Sequence, residues 1–253
     1  MRLPRRLRPG EEATLVEHLD ELRSRLIVSL LALAVGFGVA YGFHGRLVRA
    51  LEAALPADRR RLVTFGVAEP FLTSMWVSLW AGLALALPIV LWQLWSFLAP
   101  AVEERSQRLV ATFVGFASAL ALAGIAFGYY LALPASVHFL THYDDHLYNI
   151  QIRARDYISF SMLVLVACAV VFELPIFVLA LVRLGVLTTA KLRRNRRLGY
   201  VIVAAVAVAL PGVDPVTTTL EAIPLIVLYE LTIWLSVVLE KRWRPRQLAT
   251  TVE

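Results

Sequence analysis

From Phe71 to Val102 the chain carries no charged residue. That is longer than the roughly 20 residues a helix needs to cross a bilayer. With no water in hydrocarbon to satisfy backbone N–H and C=O groups, such a run must satisfy them internally, as a helix does. Five further runs behave alike. Leu26–Phe43 and Leu109–Leu133 are uncharged, Tyr157–Val182 is interrupted only by Glu173, Leu198–Val213 is uncharged, and Ala222–Leu239 is interrupted only by Glu230. The pattern predicts an all-α integral membrane protein with six transmembrane helices. The second membrane crossing is expected to end near Trp95. The last two runs are short, so they should thin the bilayer locally or tilt their neighbours. Apolar residues make up 59% of the chain and charged residues 17%. Because the charges cluster between the runs, this composition excludes a soluble protein with a large core. The net charge of +6 is therefore read by its distribution, not as affinity for nucleic acid.

That distribution predicts orientation. With the N-terminus in the cytoplasm, the inside segments hold 18 of the 25 Lys and Arg residues and the outside loops hold 7. The positive-inside rule then places both termini in the cytoplasm. Residues 1–253 read as one polytopic membrane domain, with a cytoplasmic amphipathic segment at 1–25 and a cytoplasmic tail at 240–253. The outside loop at 44–70 contains Arg46, Arg49, Arg59, Arg60 and Arg61, and its Pro56-Ala57-Asp58 turn points to a small folded cap. Arg5-Arg6 is not read as a targeting signal, because acids intervene before the apolar run and no small-residue cleavage site follows. The lone cysteine, Cys168, lies within the fourth run, so no disulfide framework exists within one chain.

Thr14 to Arg25 leads directly into the first run. On a helix, Leu15, Leu19, Leu22 and Leu26 form an apolar stripe, and Glu17, Asp20 and Glu21 form an acidic face. Thr14 and Glu17 have capping-box spacing, which marks the helix start. Acids this close repel one another, and a cation from elsewhere relieves the repulsion. The loop after the second run begins with aromatic residues and carries Glu103 and Glu104. On the expected topology both acidic surfaces face the cytoplasm, which makes a clamp for a basic peptide. Arginine suits it, because its planar fork pairs with carboxylates.

Two acids lie within the runs. Glu173, in Val170-Val171-Phe172-Glu173-Leu174-Pro175, costs roughly 2.5–3.5 kcal/mol to insert and should face a protein interior or a wet cavity. Pro175 breaks the backbone ladder there, so a kinked wall with a polar pocket is expected. A protonated glutamic acid bonded to a neighbouring helix is the plainer alternative. Glu230, flanked by Tyr229 and Trp234, lies nearer an interface, where an acid can snorkel. Asp214, in the Pro211-Gly212-Val213-Asp214-Pro215 turn, reads as a structural residue that caps the next helix or sets the turn. The block Arg193-Arg194-Asn195-Arg196-Arg197 reads as a topology anchor.

His138, His142 and His146 recur every four residues, a spacing that can bind zinc on a helix, but no His-Glu-x-x-His pattern accompanies them and no metal is expected. There is no Gly-rich phosphate loop, no cysteine pair and no spacing that organises a nucleophile. An enzyme is not expected, nor is a cofactor.

The blocks His18-Leu19-Asp20-Glu21-Leu22-Arg23-Ser24-Arg25, Glu69-Pro70-Phe71, Trp92-Gln93-Leu94-Trp95-Ser96-Phe97-Leu98-Ala99-Pro100, Phe172-Glu173-Leu174-Pro175, Asp214-Pro215 and Ala222-Ile223-Pro224 occur in that order. In this the chain resembles the TatC family, the six-span receptor subunit of the twin-arginine protein translocase. The likeness runs from His18 to about Arg242. It implies a cupped-hand fold and a non-enzymatic receptor in the plasma membrane of a prokaryote. That receptor binds paired-arginine signal peptides and exports folded proteins by the proton-motive force. Its implied partners are single-span TatA- and TatB-type subunits, membrane lipid and further copies of itself. By the resemblance, Glu21 is the acid that recognises the arginines and Arg23 a sensitive basic position. Phe97 and Pro100 belong to the first cytoplasmic loop, Glu173 to the concave membrane face and Asp214 to the last outside turn. Family members commonly carry a second peptide-binding glutamate late in that loop. Here its place is Ser106, so Glu103 or Glu104 would have to supply the charge.

Two other readings are open on the residues alone. A proton-coupled small-molecule transporter would use Glu173 and Glu230 as a relay, although no internal repeat supports it. A metal-dependent membrane enzyme would use the histidines.

Overall fold

The computed structural model describes residues 15–98, 107–183, 186–209 and 215–250. They form helices α1 (Leu15–Gly42), α2 (His44–Ala53), α3 (Glu69–Leu98), α4 (Gln107–Phe127), α5 (Leu133–His142), α6 (Ala154–Phe172), α7 (Leu174–Arg183), α8 (Thr189–Arg194), α9 (Arg196–Ala209) and α10 (Pro215–Thr250). Two short strands, β1 (Leu62–Val63) and β2 (Ile152–Arg153), pair in parallel.

Among the described residues, five helical stretches are long and apolar enough to cross a membrane. These are Leu19–Gly42, Glu69–Phe97, Ala111–His142, Ala154–Arg183 and Thr218–Val238. The protein is therefore an all-α membrane protein. The 14-residue α9 falls below that length. Of the two runs read as short, the last is not: its apolar stretch spans 21 residues inside a 36-residue helix. Residues flanking the uncharged run also take helical backbone, and a count of uncharged residues misses them.

The chain divides into two compact units. One comprises residues 1–43 and 78–118, the other residues 44–77 and 119–253. In the first unit, the acidic N-terminal segment and the first apolar run are one unbroken helix, α1. Thr14, read as its cap, lies outside the described residues. The apolar stripe is not packed away: Leu19, Leu22 and Leu26 are exposed. α1 and α3 meet backbone to backbone at two glycines. A Cβ on Gly36 would fall 2.5 Å from the Gly82 carbonyl oxygen, and one on Gly82 would fall 2.5 Å from the Phe37 amide nitrogen. In a bilayer no hydrophobic force drives helices together, so small residues that admit close van der Waals contact take its place.

In the second unit, residues 44–63 fold back on later helices. Leu51 and Leu55 are buried. The Tyr157 hydroxyl donates to the Leu51 carbonyl at 2.6 Å, and the Tyr129 hydroxyl donates to the Ala50 carbonyl at 2.8 Å. Arg59 donates to the Ile150 carbonyl and Arg60 to the Leu55 carbonyl. These bonds turn part of the segment's positive charge toward backbone oxygens. α4 runs into α5 through a π-helical turn at Gly128–Ala132, just before Pro134, and the Leu133 N–H donates to Gly128 O. A proline that cannot donate its own N–H accounts for loosening at this point.

The fourth apolar run is two helices, not one. α6 ends at Phe172 and α7 starts at Leu174. The Glu173 N–H donates to Val170 O at 3.1 Å, and Glu173 O accepts from Ile176 and Phe177. Pro175 causes the break: it has no N–H, and its ring would press on the carbonyl four residues earlier. α8 is capped by Thr188, whose hydroxyl accepts from the Lys191 N–H, the standard way to satisfy an orphan helix donor. α9 and α10 close around Val171, Val203, Ala207 and Leu225, with Val206, Ala222 and Tyr229 packed against them.

Candidate functional site

Glu21 lies in the second turn of α1, with its side chain 25% exposed. It is already occupied. The Arg25 guanidinium donates to Glu21 Oε1 twice, from Nε at 3.0 Å and from Nη2 at 2.5 Å. Glutamate four residues N-terminal to arginine is the favourable orientation on a helix. For a pair with exposures of 22% and 25%, stabilisation of about 0.3–0.5 kcal/mol is expected, as in exposed helix pairs. Both donors fall on one oxygen, and Glu21 Oε2 makes no hydrogen bond among the described residues.

Arg25 also reaches across to the end of α3. Its Nη1 donates to Gln93 O and Gln93 Oε1, each at 3.4 Å, and its Nη2 donates to Ser96 O at 3.2 Å. The late carbonyls of a helix lack intrahelical partners and carry partial negative charge, which suits a guanidinium. Arg25 thus joins the acidic start of α1 to the aromatic end of α3, within one compact unit. Beside this contact Trp95 packs on Phe113 with centroids 5.3 Å apart, and Phe97 lies half-buried in the last turn of α3. Asp20 and Arg23 are exposed.

Pro100, Glu103, Glu104, Ser106 and Asp214 lie outside the described residues. The second half of the expected clamp, and the turn residue, therefore stay expectations. Arg25 was not singled out in the sequence, although its four-residue spacing from Glu21 is a signal that could have found it.

The two acids within the apolar runs differ. Glu173 sits at the break between α6 and α7, half-buried, with a buried Oε1 that has no hydrogen-bond partner among the described residues. Glu230 is engaged: the Tyr200 hydroxyl donates to its Oε1 at 2.5 Å, and Arg196 Nη2 lies 3.4 Å from its Oε2. Arg196, from the basic block, is the first residue of α9.

A third acid was noted in the sequence only as part of a motif. Glu69, at the start of α3, has a side chain only 5% exposed. Arg153 donates to it from Nε at 2.9 Å and from Nη2 at 3.1 Å, one bond to each oxygen. The backbone N–H groups of Phe65, Gly66 and Arg155 complete the set. The carboxylate holds the Arg153 guanidinium above its ordinary pKa. Arg153 also lies 5.7 Å from the Phe65 ring centroid, a cation–π contact. The pair pins β2 against the start of α3.

The histidines do not converge. His138 and His142 stack with centroids 4.2 Å apart, and His142 Nδ1 lies 2.8 Å from His138 O. His146 falls in the turn beyond α5. Among the described residues no cluster of three or more metal-ligating side chains occurs.

The family model described as "Sec-independent protein translocase protein (TatC)" matches residues 17–224. The chain belongs to the TatC family. It is 39% identical over 236 residues to the TatC protein of Deinococcus radiodurans, covering 88% of this chain and 86% of that one. It is 33% identical over 224 residues to that of Carboxydothermus hydrogenoformans, covering 88% and 92%. A crystal structure described as the twin-arginine translocase receptor TatC superposes with a TM-score of 0.73 at 32% identity, covering 87% of this chain and 98% of that one. The match to TatC proteins nearly end to end makes this a multi-pass membrane protein of a protein translocase, and the family is not an enzyme family.

Proposed function

We propose that the chain is the signal-peptide receptor of a twin-arginine translocase, binding the arginine pair at Glu21 on the cytoplasmic side. It would work with TatA- and TatB-type single-span subunits and further copies of itself, and the proton-motive force would drive export of folded precursors. With six spans, α9 being the short fifth, both termini would lie on one side of the membrane, and the Lys/Arg distribution supports the cytoplasm of a prokaryotic cell as that side. The observation that carries the reading is the state of Glu21. Its half-buried carboxylate holds a guanidinium at 2.5–3.0 Å, so the local geometry accepts the group that the peptide would bring. Glu103 or Glu104, which follow α3 in the sequence, would take the second arginine, with Arg23, Phe97 and Pro100 lining the approach. Glu173, half-buried at a helix break with its Oε1 enclosed, would supply a polar point on the membrane face.

Glu21→Ala should leave the protein inserted and abolish export of a twin-arginine precursor, measured as mature reporter outside the cytoplasm against receptor in the membrane. Full export in that variant would sink the assignment. In the proton-coupled transporter reading, Glu230 would have to act from within its contacts with Tyr200 and Arg196.

A further inference from the structure

We propose that Arg25 is an internal stand-in for the signal-peptide arginine, and that peptide binding is an exchange of one guanidinium for another on Glu21. The inference rests on the reading of Glu21 as the arginine-binding acid and adds how that acid is kept when no peptide is bound.

Three features carry it. First, the contact is the chemistry of the ligand itself: two guanidinium N–H groups on one carboxylate oxygen, at 3.0 and 2.5 Å. Second, Glu21 Oε2 has no hydrogen-bond partner among the described residues, so an arriving guanidinium has an oxygen to land on before Arg25 leaves. Third, Arg25 has somewhere to go. Its Nη1 and Nη2 already lie 3.2–3.4 Å from Gln93 O, Gln93 Oε1 and Ser96 O. These contacts are longer than optimal for N–H···O bonds and can shorten when Glu21 lets go. The displaced charge is therefore never stranded, and a half-buried carboxylate never stands without a cation. The exchange swaps like for like, and Arg25 lowers the apparent affinity by the fraction of time it occupies Glu21.

The test uses the full chain in lipid nanodiscs and a fluorescent peptide carrying Arg-Arg before an apolar stretch, with anisotropy as the readout and receptor melting as the check on folding. Arg25→Gln should bind the peptide roughly two- to fivefold more tightly, the factor expected when a weak helix pair is removed as competitor. A merely structural arginine cannot produce a gain. Arg25→Lys keeps the charge but loses the fork and should gain less, in the same direction; it also carries the test if Arg25→Gln does not fold. Weaker or unchanged binding in folded variants overturns the exchange. A gain in Arg25→Gln with none in Arg25→Lys also overturns it, since charge alone would then explain the gain. Glu21→Gln separates the layers. If it binds the peptide undiminished, the Glu21 reading falls and the exchange with it. If it loses binding while the Arg25 variants match the native chain, only the exchange falls.

Discussion

At the scale of single residues, two glutamate–arginine pairs have opposite characters. Glu21 and Arg25 are four residues apart on one helix, half-exposed, with one carboxylate oxygen doing all the accepting. Such a pair is easily opened. Glu69 and Arg153 lie 84 residues apart in sequence, and Glu69 uses both oxygens and three backbone donors as well. Removing one partner there leaves an enclosed charge unpaired, which costs more than the pair itself contributes. Arg153→Met should therefore lower the melting temperature of the solubilised protein clearly. Glu69→Gln should lower it less, because the amide oxygen still accepts from Phe65 and Gly66. Equal melting of Arg153→Met and the native chain would show that the pair adds nothing to stability. The spacing of Glu21 and Arg25 was legible from the helical period. That of Glu69 and Arg153 was not, because nothing local links them.

At the scale of elements, sequence pattern located the helices better than it described their contacts. Uncharged runs of this length mark helices because a helix satisfies every backbone group within its own segment, and Pro175 marks the break beside Glu173. Which glycine permits a crossing is another matter. Gly36, Gly38 and Gly82 look alike in sequence, yet a Cβ on Gly38 meets nothing within 4 Å while those on Gly36 and Gly82 would strike backbone. Gly82→Leu should force α1 and α3 apart and destabilise by about 1–3 kcal/mol, as overpacking does. Gly38→Ala should be neutral or slightly stabilising, since alanine suits a helix better than glycine. Thermal melts of the two variants side by side check this, and equal loss in both would place the crossing elsewhere. The apolar stripe Leu19, Leu22 and Leu26 was correctly placed on one helix, but its exposure shows that periodicity cannot say what a face packs against.

At the scale of the whole molecule, the proposed orientation has a direct check. Asp58, in a 3-10 turn at Ala57–Arg59 that follows α2, has a side chain 62% exposed, and Lys191 in α8 is exposed. Asp58→Cys should react with a membrane-impermeant maleimide in intact cells, whereas Lys191→Cys should react only after permeabilisation. Cys168, 2% exposed, should stay silent in both. The reverse pattern would invert the topology and remove Glu21 from the cytoplasm.

The sequence by itself determined that this chain is a helical membrane protein, where its apolar helices lie, and, through ordered motifs, which family it belongs to. The first two follow from local rules, namely helical period, bilayer thickness and the cost of burying charge; the family follows from the resemblance carried by the motifs in their order. Only the tertiary structure decided which acids are engaged. Arg153 reaches Glu69 because β2 pairs with β1 and carries Arg153 to the start of α3. Arg25 reaches Gln93 and Ser96 because Gly36 and Gly82 let α1 and α3 touch in the same unit. Such pairings depend on the path of the backbone between distant residues, and no window along the chain contains that path.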